Sequence, residues 1–117
     1  MEFTENQSIY MQIADVFCEN ILSRKWKANE RIPSVRDIAI QMEVNPNTAM
    51  RAFVYLQEKG IIYNKRGIGY FVDDDGYKKA LSLKRDEFIN RDIPVIMKTM
   101  QLLDISCEDM EKLYKNQ

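Results

Sequence analysis

The sequence predicts a mostly α fold with a small β-hairpin: an N-terminal winged helix-turn-helix domain over residues 1–75, followed by a short C-terminal helical tail over residues 76–117. Three observations predict it. Two helix-start motifs lie close together, two β-rich runs then flank a glycine-bearing loop, and an apolar repeat with helical spacing fills the C-terminal part. A chain of 117 residues is the size of one domain, or of one small domain with an appendage.

A first helix is predicted from about residue 8 to residue 24. Ser8 is a suitable N-cap, because its hydroxyl can accept a hydrogen bond from the first turn. Apolar side chains then recur with the spacing of one helix face, at Ile9, Ile13, Val16, Phe17 and Ile21. This face is expected to pack against the rest of the domain.

Two short helices joined by a tight turn are predicted next. Ser34 and Asp37 have the spacing of a capping box, so a helix is expected from there to about Met42. A further helix is expected after Asn45, because asparagine caps well and Pro46, at the first helical position, loses no needed hydrogen bond.

A β-hairpin is predicted after this helix pair. Gly60 supplies the left-handed residue that commonly ends a helix. Residues 61–63 and 70–72 are rich in β-branched and aromatic side chains, and the loop 64–69 between them contains two glycines. This order is the outline of a winged helix domain, whose second paired helix fits a major groove and whose hairpin loop reaches the neighbouring backbone or minor groove.

The C-terminal part is predicted to be helical. The acidic triplet at residues 73–75 is interpreted as a solvated linker rather than a metal site, because consecutive carboxylates on an extended chain point in different directions. The apolar repeat beyond it continues through Pro94, which predicts one long helix kinked or broken at the proline. Ser106 and Asp109 have the capping-box spacing that starts a last helix.

Composition argues against enzymatic activity. The chain has no histidine, which removes Ser-His-Asp and Cys-His sites, His-bearing zinc sites and the commonest general base. The two cysteines, Cys18 and Cys107, stand in unrelated surroundings and are expected to be free thiols in a reducing cytoplasm. The longest apolar run, residues 93–97, is too short to span a membrane, and the polar residues 1–6 do not resemble a signal peptide. We therefore expect no metal, no cofactor, no membrane partner and a cytoplasmic location.

Charge is unevenly distributed along the chain. The net charge is −1, but the segment from Arg24 to Val72 contains nine basic and four acidic residues, a balance of +5. The flanking segments carry the compensating negative charge. Such segregation is expected when one face of a domain approaches phosphates.

Three motifs in this order resemble the GntR family of bacterial transcription regulators: residues 31–39 (RIPSVRDIA), 44–53 (VNPNTAMRAF) and 65–72 (KRGIGYFV). The resemblance extends over roughly residues 9–72, and the Asn-Pro-Asn-Thr turn and short helical tail are similar to the YtrA subfamily. It implies a dimeric, operator-binding repressor whose wing and recognition helix contact double-stranded DNA.

The sequence departs from the family pattern at two places. Family members often carry Pro-Gly where this chain has residues 28–29, which should change only a loop. Many members have arginines where Pro46 and Met50 stand here, which shifts base reading towards Asn47, Thr48 and Arg51.

The resemblance implies a set of DNA-binding residues. Arg36 is expected to contact a phosphate, whereas Asn45 is expected to act more as a cap than as a base reader. The two wing glycines would allow close backbone approach to DNA. The expected set is Ser34, Arg36, Asn45, Asn47, Thr48, Arg51, Lys65, Arg66, Gly67 and Gly69.

The apolar tail needs a partner surface, because an isolated helical arm of this length is marginal in water. The tail could fold back on its own domain, but the simplest partner is the same tail of a second chain. The expected dimer contacts are Phe88, Ile89, Ile93, Val95, Ile96, Met100, Leu102 and Leu103.

A different class of function stays open: a winged helix protein-interaction module that binds through the hydrophobic tail. An effector ligand is unknown. The part after the wing is too small to enclose a pocket alone, so a small molecule would have to bind at a subunit interface.

Overall fold

The computed structural model describes residues 7–117, and residues 1–6, on which the signal-peptide prediction rests, lie outside this range. Helices α1 to α6 and strands β1 and β2 follow one another in the order α1 (Ile9–Leu22), α2 (Val35–Met42), α3 (Pro46–Glu58), β1 (Ile62–Lys65), β2 (Gly69–Val72), α4 (Gly76–Glu87), α5 (Ile93–Leu102) and α6 (Cys107–Lys115). A π-helical turn, Phe88–Asp92, joins α4 to α5. In this part of the chain no helix has the length and apolar character that a membrane crossing requires.

The chain divides into two compact units, one up to Leu83 and one from Lys84 to Gln117. The division falls inside α4, beyond the boundary predicted after residue 75. The start of α4 belongs to the first unit, because Ala80 is fully buried there. Gly76 packs so closely that a Cβ atom on it would lie 2.8 Å from the carbonyl oxygen of Ile61.

The capping motifs of α2 and α3 form as predicted. Ser34 Oγ accepts a hydrogen bond from the Asp37 N–H at 3.1 Å, and Asp37 Oδ2 accepts one from the Ser34 N–H at 3.4 Å. At α3, Asn45 Oδ1 accepts from the Asn47 N–H at 2.8 Å. These bonds satisfy backbone donors that have no partner inside a helix.

The first helix differs from the prediction at its N-terminal end. Ser8 occupies the N-cap position of α1, but its side chain makes no capping hydrogen bond. Ile13, Phe17 and Ile21 are buried as expected, whereas Ile9 stays 42% exposed. The buried face is therefore shorter than the apolar pattern suggested.

Aromatic side chains join α1, α3 and the hairpin in one core. The fully buried ring of Phe53 makes edge-to-face contacts with Phe17 and Tyr70, at centroid distances of 5.1 Å and 4.7 Å. Phe17 also meets Trp26 edge-on at 5.0 Å. Because large buried rings pack with specific geometry, these contacts fix the orientation of α3 relative to the hairpin.

The hairpin, called the wing below, is extended by a third segment. β1 and β2 pair antiparallel, with Ile62 opposite Val72 and Lys65 opposite Gly69. The Ile32 N–H donates to the Tyr70 carbonyl at 3.0 Å, and the chain just before it bonds along the outer edge of β2. Residues 29–32 thus cover the edge of the sheet.

The second unit contains the π-helical turn, α5 and α6. Proline lacks an N–H and crowds the carbonyl four residues earlier, and the wide turn directly before Pro94 relieves both effects while the helical backbone continues. The interruption predicted at Pro94 therefore takes this form. The capping box of α6 forms as predicted, with Ser106 Oγ accepting from the Asp109 N–H at 3.1 Å.

Candidate nucleic-acid interface

The first turn of α3 is exposed to solvent, because the opposite face of the helix packs against the core. Ala49, Ala52 and Phe53 are fully buried, and the two small alanines let α3 approach its neighbours closely. Asn47 is exposed, and its side chain has no hydrogen-bond partner in the range 7–117. Thr48 beside it is half-buried. The amide of Asn47 is therefore available to an external donor or acceptor.

Two residues of the predicted DNA-binding set are helix caps. The side-chain oxygens of Ser34 and Asn45 are each occupied by a backbone N–H at the start of a helix. Their main contribution is to orient the residues that follow them. Arg36, in the first turn of α2, is exposed and forms no ion pair with a described carboxylate.

Arg51 is held against α1. Its guanidinium carbon lies 4.2 Å from the centre of the Tyr10 ring, a cation–π contact. Tyr10 in turn contacts Tyr55 edge-on at 6.3 Å. An open groove of about 260 Å³ follows this side of α3, lined by Tyr10, Met50, Arg51, Val54, Tyr55 and Glu58. The sequence placed Arg51 on the same side as Asn47 but did not reveal its partner, because Tyr10 lies far away along the chain.

The wing tip exposes Lys65, Arg66 and Gly67. Gly67 has φ of 76°, which glycine adopts without steric cost, and a Cβ atom there would meet nothing within 4 Å. The Lys65 ammonium lies 4.8 Å from the centre of the Phe71 ring. The tip is therefore an open turn with two cations at its start.

Gly69 has an intramolecular role that the sequence did not reveal. Its φ is 146°, and a Cβ atom on it would lie 3.0 Å from Arg31 Nε and 3.3 Å from Arg31 Nη2. The missing side chain thus makes room for the Arg31 guanidinium. The structure thus adds a contact within the protein to the DNA-binding role that the sequence predicts for this glycine.

Asn29 has a structural role, whereas the sequence predicted that the departure from Pro-Gly at residues 28–29 changes only a loop. It adopts φ of 62°, a left-handed conformation that asparagine tolerates better than most residues. The Tyr63 hydroxyl donates to Asn29 Oδ1 at 3.1 Å, and Asn29 Nδ2 donates to Asp74 Oδ1 at 3.1 Å. The departure from Pro-Gly at residues 28–29 therefore adds side-chain bonds across the base of the wing.

The cations of this surface form no ion pairs with the carboxylates of residues 7–117. Among the described residues, the ion pair within the first unit joins Lys79 to Asp73 at 3.6 Å. Five cations of α2, α3, the wing and the segment along β2 take part in no ion pair with a described residue; they are Arg31, Arg36, Arg51, Lys65 and Arg66. Positive charge without internal compensation is suited to binding an anionic ligand.

The second unit exposes apolar side chains. Across Lys84–Gln117 no side chain is classed as buried. Val95 is 64% exposed, Leu102 77% and Leu103 64%. A shallow groove of about 440 Å³ in this unit is lined by Lys84, Arg85, Phe88, Ile89 and Ile93. This is more exposed apolar surface than a small unit normally leaves to solvent.

Other chemistry is sparse in the part of the chain that the structure describes. No group of three or more metal-ligating side chains occurs there. Cys18 is buried, Cys107 is exposed, and no disulfide joins them. Hydrogen bonds from the Ser106 N–H and hydroxyl hold the pKa of Asp109 below its ordinary value of 3.8.

Comparison with known proteins identifies relatives of both units. The family model described as "Bacterial regulatory proteins, gntR family" matches residues 9–72, which include every residue of the predicted DNA-binding set. YhcF, an HTH-type transcriptional regulator of Bacillus subtilis (strain 168), is 29% identical over 109 residues, covering 93% of this chain and 88% of YhcF.

Two further matches carry the same kind of description. YtrA, an HTH-type transcriptional repressor of Bacillus subtilis (strain 168), is 36% identical over 67 residues, covering 57% of this chain and 52% of YtrA. The crystal structure of a GntR family transcriptional regulator from Bacteroides thetaiotaomicron has a TM-score of 0.76 and 39% identity, covering 93% of this chain and 95% of that chain.

Proposed function

This chain belongs to the GntR family of bacterial transcription regulators, which bind DNA, and we propose that it acts in the cytoplasm as a homodimeric repressor of an inverted-repeat operator. The observation that carries the proposal is the surface of the first unit. There the exposed first turn of α3 belongs to the same compact unit as five cations that form no ion pair with a described carboxylate. Its relatives are named as regulators of transcription, which is a non-enzymatic role.

Base reading is assigned to the first turns of α3. The exposed side-chain amide of Asn47 has no hydrogen-bond partner among residues 7–117, and an amide suits the paired donor and acceptor of adenine in the major groove. Thr48 can contact a phosphate or a thymine methyl group. Arg51 lies one turn further along and is oriented by Tyr10.

Backbone positioning is assigned to α2 and the wing. Arg36 follows the Ser34 cap at the start of α2, and the N-terminus of a helix favours phosphate. Lys65 and Arg66 precede the open turn at Gly67, where the chain can approach a sugar-phosphate backbone or a minor groove. These contacts would supply affinity and register rather than sequence preference.

Dimerisation is assigned to the tail. One winged helix domain covers too few base pairs to select a genomic site, whereas two domains related by two-fold symmetry can read half-sites about 34–36 Å apart. The apolar side chains exposed on α5 and the π-helical turn provide a surface that a second tail can cover.

Selection from random duplexes tests the proposal. The purified protein is incubated with a random pool, and bound duplexes are sequenced over several rounds. An enriched inverted repeat with half-sites about one helical turn apart is expected. Enrichment of a single asymmetric element would contradict the symmetric dimer, and no enrichment would contradict operator binding.

A second candidate function, a protein-interaction module that binds through the tail, is favoured by the exposed apolar side chains alone. Salt dependence separates the two functions. Duplex binding that weakens steeply with added salt supports the operator proposal, because phosphate contacts release counterions. A module that binds only proteins would show no such dependence.

A further inference from the structure

The Arg31 side chain crosses β2 at the one position where no Cβ atom obstructs it. Its Nε, Nη2 and Cζ atoms lie 3.0, 3.3 and 3.5 Å from the point where a Cβ atom of Gly69 would be. The backbone of Arg31 is bridged to Phe71, two residues further along β2. The guanidinium therefore reaches diagonally towards the wing turn and is held over the backbone of Gly69.

The wing register places this guanidinium on the outward face of the sheet. Residues paired across antiparallel strands lie on the same face, and alternate residues of one strand share a face. Ile62 and Val72 are paired and buried, so their face is the inner one. The outward face, by the same register, carries Arg31, Tyr63, Lys65, Gly69 and Phe71.

Two cations thus flank Gly69 on the outward face. Lys65 is its register partner and lies over the Phe71 ring, while Arg31 lies over Gly69 itself. Arg31 is exposed and forms no ion pair with any carboxylate in residues 7–117. An arginine held in a defined position without an internal anion is arranged for an external one.

We propose that Arg31 binds a phosphate of the DNA backbone from the base of the wing, and that Gly69 is needed because it lets the Arg31 guanidinium reach that position. The proposal rests on the DNA-binding function argued above. It adds a third wing cation to Lys65 and Arg66, and it gives Gly69 an indirect role, as a positioning residue that acts through Arg31.

Salt-dependent binding of Arg31 variants tests the phosphate contact. Affinity is measured by fluorescence anisotropy for a selected duplex and for a random-sequence duplex, over a range of salt concentrations. Arg31→Gln should weaken binding to both duplexes roughly tenfold at moderate salt, about 1.4 kcal/mol. It should also lower the slope of log K against log salt by about one unit. Arg31→Lys should keep most of the slope, because it keeps the charge.

A double-mutant cycle tests the role of Gly69. Gly69→Ala strains the backbone in any background, so the cycle compares its effect with and without the guanidinium. In the protein that keeps Arg31, the methyl group of Gly69→Ala displaces the Arg31 guanidinium. In Arg31→Ala there is no guanidinium to displace. Gly69→Ala should therefore weaken DNA binding at least about threefold more in the first background than in the second. Equal effects in both backgrounds would contradict the positioning role.

Matched controls separate this contact from a structural effect. Lys59→Gln removes a cation at the far end of α3, about 18 Å along the helix from Asn47, and should leave the slope unchanged. If Arg31→Gln lowers the melting temperature but not the slope, Arg31 is structural and the inference is wrong. If the unmodified protein binds neither duplex, the proposed function itself is wrong.

Discussion

The guanidinium of Arg51 in α3 rests on the ring of Tyr10 in α1, with 4.2 Å between the guanidinium carbon and the ring centre. This contact joins the N-terminal turn of the first helix to the helix assigned to base reading. It restricts a long side chain that would otherwise sample many rotamers. Tyr10 therefore restricts the position of the Arg51 side chain, and no local motif indicates this contact.

Replacing Tyr10 tests this contact. Tyr10→Leu removes the aromatic platform, and an exposed cation–π contact is worth about 0.5–1 kcal/mol, so binding to a selected duplex should weaken about two- to fivefold. Tyr10→Phe keeps a ring beneath the guanidinium and should bind almost as well as the unmodified protein. Anisotropy titrations provide the measurement. Tighter binding by Tyr10→Leu would mean that the ring holds Arg51 away from DNA.

Truncation of the Asn47 side chain and truncation of the Lys65 side chain should affect DNA binding in different ways. Asn47→Ala removes the side-chain amide at the exposed start of α3 and should cost roughly 1–3 kcal/mol on the best duplex, with relaxed preference at one base pair. Lys65→Ala should weaken binding to every sequence and lower the salt slope by about one unit. Selection repeated with each variant measures both effects. Equal, sequence-independent losses from the two changes would contradict the division between reading and positioning.

The tail can be tested with a matched pair of double variants. Ile96→Asp with Met100→Asp places two carboxylates on the apolar stripe of α5 and should split the dimer, abolishing tight operator binding while the winged helix domain stays folded. Lys98→Gln with Gln101→Asp lowers the net charge by the same two units at exposed positions on the opposite face of α5 and should leave a dimer. Sedimentation equilibrium distinguishes these outcomes. An unmodified protein that is monomeric at micromolar concentration would exclude the tail as the dimer interface.

Asn29 should contribute to the stability of the wing. Asn29→Ala loses the side-chain bonds to Tyr63 and Asp74 and keeps a strained left-handed backbone, so the free energy of unfolding should fall by about 1–2 kcal/mol. Asn29→Gly loses the same bonds without the strain and should be less destabilising. Urea denaturation measures both. Asn64→Ala, an exposed position in β1, is the control and should change stability by less than about 0.5 kcal/mol.

The stabilisation that the capping box contributes to α6 should depend on pH in the acid range. Hydrogen bonds from Ser106 favour the ionised form of Asp109, so its pKa in the folded chain lies below 3.8. The stabilisation is present above the unfolded-state pKa and is lost as pH falls through the lower folded-state pKa. Carbon-detected NMR of the Asp109 carboxyl should give a midpoint below 3.8. Ser106→Ala should move that midpoint back towards the ordinary value.

The helix caps and the wing strands were predictable, because each depends on residues that are close together in the sequence. The bonds of Ser34 with Asp37, and of Ser106 with Asp109, join residues three positions apart, so spacing alone indicates them. The wing strands are likewise set by short β-rich runs around a glycine turn. The resemblance to a regulator family followed from the same segments, because the family motifs are these local motifs in a given order.

Long-range contacts were not predictable, because no pattern of spacing relates their partners. Arg31 meets Gly69 and Asn29 meets Tyr63 only after the segment before α2 lies along β2. The end of the buried face of α1, which leaves Ile9 exposed, also depends on where neighbouring elements stop. Each of these contacts depends on how helices and strands are placed relative to one another, and local sequence preferences do not specify that placement.

The sequence by itself therefore determined where the helices and the wing begin and end, and which segments carry basic side chains, because these depend on residues a few positions apart. Only the tertiary structure decided how those side chains are used. It placed the Arg51 guanidinium on the Tyr10 ring and the Arg31 guanidinium over Gly69. The physical reason is that side-chain orientation depends on packing between elements distant in the chain, and that packing exists only once the core has formed.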